Sequence, residues 1–394
     1  MENSKKKILV VTPRFPYPEA GADEQDRAGG IRQLLRLGFE VEVISKVFSW
    51  QPSNEIKSFW EKLGVKVTLI PYQTKKGFSF IFDGAAAEYR DPVLIRTVAK
   101  TISLCAPDLL WCDYTYLWPL FKLARRSNLP IVLRSINVES RHFLEEDGQS
   151  IRNYIKALPK FLTEENAARG SDVIFSITPY EREFYEHIGA KRTVNLPLRG
   201  LAPLIGTHSP RIVSDDDSLH VFFSGSTYTV NHNRRALEFI IKDVAPVIWA
   251  TYGSKFTFHI TGAKFPEDLK KYLVNNVVYE GFVPDRDIFL KNMDIALSPS
   301  LFGAGMQQKI FEPITRGFPT ITHARGIAGY PFVHGEDFLA IETVSDACQA
   351  LSSLIPFESR QRLSVNAKQK SQNLFSEFIL DSIVSQELYR VMKV

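Results

Sequence analysis

The chain has 394 residues, 44% of them apolar and 23% charged, and a formal net charge of +4. This balance fits two folded domains of roughly 150–200 residues each and excludes a disordered chain. No block of Lys and Arg is long enough for a nucleic-acid arm; Lys5-Lys6-Lys7 reads as a solvated end, and the small positive excess favours anionic ligands only weakly.

In chain order, Lys7 to Thr12 (KILVVT) reads as a short buried parallel strand stopped by Pro13. Asp26 to Leu37 has helical spacing and ends at Gly38, and Phe39 to Ser45 alternates as a second strand, which makes a βαβ unit. The rhythm continues with strand Val65 to Ile70, helix Pro92 to Leu104, strand Leu109 to Cys112, helix Trp118 to Ser127 and strand Pro130 to Ile136. Helix Asn153 to Arg169, strand Ser171 to Thr178 and helix Pro179 to Ile188 complete a doubly wound α/β domain over residues 1–198.

Residues 199–218, rich in Pro, Gly, Ser and Thr and ending in Asp215-Asp216-Asp217, read as a linker. A second domain over 219–375 follows: strand His220 to Gly225, helix Arg234 to Ala250, strand Lys255 to Thr261, helix Pro266 to Leu273 and strand Val277 to Glu280. Then come a short helix Arg286 to Asn292, strand Asp294 to Ser298, a helix after Gly303, strand Thr320 to Thr322, and helices from Asp346 and over Ser359 to Phe375. A last helix, Glu377 to Val394, lies in the remaining 376–394.

Ligands of open α/β domains collect outside the carboxyl ends of the strands. The loops of interest are therefore Thr12 to Asp26, Ser135 to Arg141, Gly225 to Asn233, Gly281 to Asp287 and Pro299 to Met306. In the last, Gly303-Ala304-Gly305 stands at the expected start of a helix, where small residues let backbone N–H groups approach an anion. Lys309 lies one turn in, and Glu312 follows it at i+3. A phosphate on the loop and Lys309, with ribose hydroxyls on Glu312, would describe a nucleotide. A glycine-rich loop followed by a surface Lys309–Glu312 ion pair accounts for the same spacing, and both readings stay open here. Pro313 either kinks this helix or restarts it.

Four stretches carry a family resemblance: FSGSTYTVNHNRRALEFI (Phe223 to Ile240), VVYEGFVPD (Val277 to Asp285), DIALSPSLFGAGMQQKIFEPITRGFPTITH (Asp294 to His323) and GIAGYPFVHGEDFLAIE (Gly326 to Glu342). In order and spacing they resemble the donor domain of the retaining GT-B glycosyltransferases of group 1, the family 4 class. The resemblance implies the GT-B architecture: two doubly wound Rossmann-like domains facing a cleft, an acceptor domain first and a nucleotide-sugar donor domain second, with the C-terminal helix closing back onto the first. It implies a metal-independent enzyme, with no cofactor beyond its co-substrate. Such an enzyme moves a sugar with retention from a nucleotide-diphosphate sugar to a glycan or lipid-linked acceptor, in bacterial surface polysaccharide or glycoconjugate synthesis. It places Gly225, Ser226, Asn231 and the Gly303, Ala304, Gly305 and Met306 backbone with Lys309 on the diphosphate side, Glu312 on the ribose and Val283 beside the base.

The N-terminal half agrees through Thr12 to Ser45 and through LRSINVESRHF (Leu133 to Phe143), which resembles the HNVE segment of this class. These positions supply Asp23, Glu24, Asn137 and Glu139 as catalytic candidates and Arg14, Gly21, Arg27 and Arg134 as acceptor or cleft candidates. The polar residues of the first loop also read as turn chemistry, and Asp26 in particular as a helix N-cap. Three departures from the pattern matter. Ala304 replaces the first of two paired glutamates, Ile136 stands where many relatives have His, and Ser226, Asn231, Asn233 and Arg234 occupy the region of a diphosphate-neutralising Arg and Lys. Ala304 and Ile136 motivate an inert GT-B subunit as one rival reading. A GT-B-like sugar-nucleotide epimerase using Asp23, Glu24 and Glu139 is another.

Other signals are weak. Cys105, Cys112 and Cys348 lack metal-type spacing and no His pair at i, i+4 has a completing carboxylate, so no metal is expected, and Asp215-Asp216-Asp217 reads as solvated linker. There is no Gly-x-Ser-x-Gly elbow and no dinucleotide fingerprint after the first strand. Ile8 to Val11 is too short for a signal core and no segment reaches bilayer-spanning length, so a cytoplasmic location is expected. Peripheral membrane contact stays open through the basic-aromatic segments Ile56 to Gly64 and Tyr72 to Phe82, whose side chains equally suit packing against the domain.

Overall fold

The computed structural model describes residues 5–19, 21–72, 88–214, 216–302 and 305–393. It divides into two compact units, Met1–Gly200 with Glu377–Val394, and Leu201–Ser376.

In the first unit the described elements are β1 (Lys7–Thr12), α1 (Ala22–Arg36), β2 (Glu40–Val47), α2 (Ser53–Lys62), β3 (Lys66–Pro71), α3 (Pro92–Cys105), β4 (Leu109–Cys112), α4 (Phe121–Arg126), β5 (Ile131–Arg134), α5 (Glu139–Asp147), α6 (Ile151–Gly170), β6 (Val173–Ser176), α7 (Pro179–His187) and β7 (Thr193–Asn195). The sheet is parallel in the order β3-β2-β1-β4-β5-β6-β7. Helices on both faces leave Ile8, Leu9, Val10 and Val11 at most 1% exposed, which is why β1 reads as an unbroken apolar run. The helix expected over Trp118 to Ser127 is instead a 3-10 turn, Thr115–Leu120, running into α4, with Pro119 inside the turn.

α2, α5 and β7 have no counterpart among the expected elements: β7 is three residues long, and α5 is largely charged. In α2, Ile56 and Trp60 are fully buried, so these two members of the basic-aromatic segment face the core and not a membrane. Of the other such segment only Tyr72 lies within the described residues.

The second unit contains β8 (Leu219–Thr227), α8 (Asn231–Glu238), α9 (Ala245–Tyr252), β9 (Phe256–Ala263), β10 (Val277–Gly281), α10 (Arg286–Leu290), β11 (Ile295–Leu297), α11 (Gln308–Arg316), β12 (Thr320–Thr322), β13 (Leu339–Ala340), α12 (Val344–Ser353) and α13 (Phe357–Phe375). Its parallel sheet runs β10-β9-β8-β11-β12-β13. One helix was expected over Arg234 to Ala250. Here α8 and α9 are joined by a π turn, Phe239–Val244, because Pro246 at the start of α9 supplies no N–H to the turn before it. Pro266 to Leu273, expected as an α-helix, holds a 3-10 turn, Glu267–Tyr272.

The stretch expected as a linker is built into this unit from Leu201 onward. The last turn of α11 leaves carbonyls without intrahelical donors, and Gly206 N–H donates to Thr315 O (3.1 Å) and His208 N–H to Arg316 O (3.0 Å). The His208 ring stacks on Phe318 at 3.6 Å, and Arg211 pairs with buried Asp294 at 2.7 Å. The last helix, α14 (Glu377–Met392), belongs to the first unit, tied by Arg36–Asp381 (2.8 Å) and Arg192–Glu387 (2.6 Å).

Pro313 neither breaks nor restarts α11, which runs through it. The donor it lacks would have served the Lys309 carbonyl; Ser298 Oγ, from the end of β11, donates to that oxygen at 2.8 Å instead.

Candidate functional site

In each sheet the chain reverses direction of winding between two neighbouring strands: β1 and β4 in the first unit, β8 and β11 in the second. The carboxyl ends of such strand pairs open a crevice. In the second unit the loop after β8 and the loop after β11 meet there. Lys309, in the first turn of α11, places Nζ 3.0 Å from Asn233 Oδ1 and 5.8 Å from the Phe223 ring centroid. Asn233 is buried and held by its own amide, which donates to Ser226 Oγ and to Thr227 O, each at 3.1 Å. Ser226, Asn233 and Lys309 thus form one polar row, with exposed Asn231 at the start of α8.

Gly225 has a packing role: a Cβ there would lie 2.7 Å from the Tyr228 hydroxyl, whose O–H donates to Thr261 O at 2.6 Å. Gly303 and Ala304 lie outside the described residues. Gly305, at φ +75°, stands in the left-handed region that suits glycine, and Met306 is buried. The helix does not start at these glycines. Extended Gln307 is its N-cap, with its side-chain amide donating to Ser300 Oγ at 3.1 Å, so the loop comes closer to Lys309 than the spacing suggested. Val283 is half-buried in the loop after β10, beside Phe282, which is 77% exposed.

Glu312 and Lys309 do not pair. The Glu312 side chain is 3% exposed and accepts from Arg316 Nε (3.0 Å) and Gln308 Nε2 (3.2 Å), with Arg286 Nη2 at 3.2 Å. A surface ion pair with Lys309 is thereby excluded: burial brings Glu312 two guanidinium partners, and the carboxylate has about one of its four lone-pair positions left. Among the described residues no group of three His, Cys, Asp or Glu could hold a metal ion.

In the first unit, Arg14, Asp23, Glu24 and Arg27 gather after β1. Arg14 pairs with Glu24 and lies 3.4 Å from Asp23, and buried Arg27 donates to Asp23 at 2.9 Å. Gly21 is the N-cap of α1. Glu139 opens α5. Burial pushes its carboxyl up from the ordinary range, against the pull of His142, Lys160, the Tyr114 hydroxyl and Arg27. Asn137 presents its carbonyl to Ser135 Oγ at 3.0 Å.

Two sequence expectations are corrected here. Arg134 is no cleft residue: it is fully buried, donating to Asp26 at 3.0 and 2.9 Å and to the carbonyls of Leu196 and Pro197. Asp26 is no N-cap: it sits inside α1, fully buried, between Arg134 and Arg199 (2.8 Å). Burial alone would raise its pKa, but the two guanidinium groups hold it well below the usual carboxylate range. Sequence reasoning passed over Asp113 and Tyr114, which follow β4 beside the β1 loop. Trp111 Nε1 donates to Asp113 at 2.7 Å, and burial raises the Asp113 pKa against the nearby Arg199 and Arg27. No motif marks them; the strand order does.

Residues 218–356 match the family described as "Glycosyl transferases group 1". No curated protein sequence matches the chain. Among solved structures, the chain is similar to HepE of Anabaena in complex with UDP and glucose (13% identity, TM-score 0.63, covering 98% of this chain and 100% of that one). It is also similar to sucrose-phosphate synthase of Thermosynechococcus elongatus (14%, 0.68, 98% of each chain). A third is TarM of S. aureus in complex with Fondaparinux, alpha-GlcNAc-glycerol and UDP (10%, 0.68, 99% of this chain and 100% of that one). The second unit therefore carries a group 1 glycosyl transferase domain, in a chain with the GT-B fold.

Proposed function

We propose that the protein moves a sugar from a nucleotide-diphosphate sugar to a glycan or lipid-linked acceptor, with retention and without a metal ion. The observation that carries the reading is the placement of Lys309, Asn233 and Ser226 at the β8/β11 switch point, within the stretch that matches the group 1 domain. Lys309 and the N–H groups opening α11 would stabilise the leaving diphosphate, the main electrostatic task of the transfer. Glu312 would give its remaining oxygen position to the ribose. The loop around half-buried Val283 would border the base, and the Arg14–Arg27 cluster would meet the acceptor. The UDP bound in the HepE and TarM structures makes a uridine nucleotide the first donor to try.

Titration calorimetry of the whole chain with UDP is expected to show binding that Lys309→Ala weakens. One charge-assisted contact contributes about 1.5–3 kcal/mol, roughly ten- to a hundredfold in affinity. Equal affinity in the two proteins would remove Lys309 from the diphosphate site. NMR of the product formed from a UDP-sugar reports the anomer, and inversion would overturn retention.

A further inference from the structure

Between β11 and β12 the parallel ladder advances two residues at a time: Ala296 N–H donates to Pro319 O at 3.0 Å and Ser298 N–H to Ile321 O at 2.9 Å. The next rung would join Ser300 N–H to the His323 carbonyl. That carbonyl is already taken, because Gly326 N–H donates to it at 2.8 Å as the chain enters the 3-10 turn Ala324–Ile327. Ser300 and His323 are both buried, and a buried N–H without an acceptor is strongly unfavourable. The His323 ring supplies the rung instead, its Nδ1 accepting from Ser300 N–H at 3.2 Å. A peptide carbonyl accepts at any pH. An imidazole accepts here only while Nδ1 is unprotonated, with the ring proton on Nε2.

This rung stands where β11 passes into the loop before α11. From Ser300 the hold continues to the helix: Ser300 Oγ accepts from the Gln307 amide at 3.1 Å, and Gln307 is the N-cap of α11, two residues ahead of Lys309. We propose that His323 is a positioning residue of the anion site, an inference that rests on the proposed diphosphate role of Lys309. Its neutral ring fixes Ser300, and through Ser300 and Gln307 it sets the N–H groups that open α11 and the turn that carries Lys309. Burial holds the imidazole below its ordinary 6.5, with Glu342 after β13 acting upward and Arg325 on the 3-10 turn acting downward. From the π turn the Phe239 ring meets it at 6.1 Å between centroids. As pH falls through the lowered pKa the ring gains its second proton, the rung is lost, and nucleotide affinity falls with it.

The test is UDP titration calorimetry of the whole chain, wild type against two variants. His323→Phe removes the acceptor, whereas His323→Asn puts an oxygen that does not titrate in the place of Nδ1. At pH 7 His323→Phe is expected to bind about tenfold more weakly, and His323→Asn to restore most of that loss. Circular dichroism and the thermal transition confirm that both variants fold. Nitrogen NMR of wild type isotope-labelled at histidine, with the His323 signal assigned by its loss in His323→Asn, should show Nδ1 unprotonated at pH 7. The same spectra give the ring's pKa. The ratio of wild-type to His323→Asn affinity should fall as pH is lowered through it, the titration of UDP itself being common to both proteins. A protonated Nδ1 at pH 7, equal binding by His323→Phe and wild type, or a ratio that stays constant overturns the inference. Lys309→Ala separates the two readings: if it weakens binding and His323→Phe does not, the positioning role alone fails. If neither weakens binding, or wild type binds no UDP, the diphosphate site fails and the positioning role with it.

Discussion

Glu312→Gln separates the structural from the ligand-binding work of the carboxylate in α11. The substitution keeps side-chain volume and one acceptor oxygen but removes the charge between Arg316 and Arg286. Arg316 is 10% exposed, so losing its charged acceptor costs about 1.5–3 kcal/mol, the range for hydrogen bonds to ionised groups. Arg286 is 38% exposed, and its contact is worth about 0–1 kcal/mol. Asp287, 2.8 Å from Arg316 and largely solvated, recovers less than about 1 kcal/mol. The net expectation is a loss of about 0.5–4 kcal/mol from the second unit, centred near 2, seen as a shift of the urea midpoint at pH 7 with no change in slope. Arg286→Gln, which leaves Arg316 paired, should cost less than about 1 kcal/mol.

Calorimetry with UDP well below the unfolding transition then reads the second role. If the carboxylate holds ribose, affinity falls in Glu312→Gln after correction for the folded fraction; if it only neutralises Arg316, affinity stays. A stability change under about 0.5 kcal/mol in Glu312→Gln would refute the reasoning at its base, since buried Arg316 would then not depend on this carboxylate.

Asp26→Asn leaves Arg134 and Arg199 buried without their shared anion, and a loss of about 3–5 kcal/mol is expected in the first unit by urea titration; a change below about 1 kcal/mol would mean the cluster is not ionic. Ser298→Ala strands the Lys309 carbonyl and should cost about 1–2 kcal/mol, whereas Ser298→Thr, which keeps a hydroxyl, should cost less; equal losses would contradict the assigned contact. His208 is pushed down to about 4, first by burial and then by Lys368, so the folded state favours its neutral form. Its contribution is whole above the ordinary value of 6.5 and is lost as pH falls from there toward 4. Over the fall from 6.5 to 5 this amounts to at most about 2 kcal/mol. His220 and His323 add the same sign, so His208→Phe should flatten, without abolishing, the loss of second-unit stability between pH 7 and pH 5.

What local patterning can carry was legible: β1, β4 and β6 as short apolar runs, and α13 and α14 as periodic segments. Long-range pairing was not. Arg134 looked like a cleft residue because it lies in the stretch Leu133 to Phe143 that carries the resemblance, and nothing in its neighbourhood announces that Asp26 has claimed it across the fold. Glu312 had the i+3 spacing of a surface partner for Lys309, but Arg286 and Arg316 compete for it from the start of α10 and from the next turn, and burial decides for them. A restart of the helix at Pro313 stayed open only while the hydroxyl of Ser298 was out of view.

The omission of Asp113 and Tyr114 has a more general cause. Glycine-rich loops advertise an anion site through composition, so the loops after β1 and β11 stand out in the sequence. The other half of each crevice is named only by strand order, and order within a parallel sheet is a tertiary fact: β4 could have been added beside β3, with the same local sequence, and the loop after it would then lie far from β1. Once β4 lies beside β1 and β11 beside β8, each unit pairs a loop that composition reveals with one that it does not. In the second unit the revealed partner is Lys309 and the silent one Asn233, whose amide is already committed to Ser226 and Thr227 and so orients its carbonyl oxygen toward the lysine. In the first, the revealed partners are Arg14 and Asp23 and the silent one is Asp113, a buried carboxylate that accepts from Trp111 Nε1.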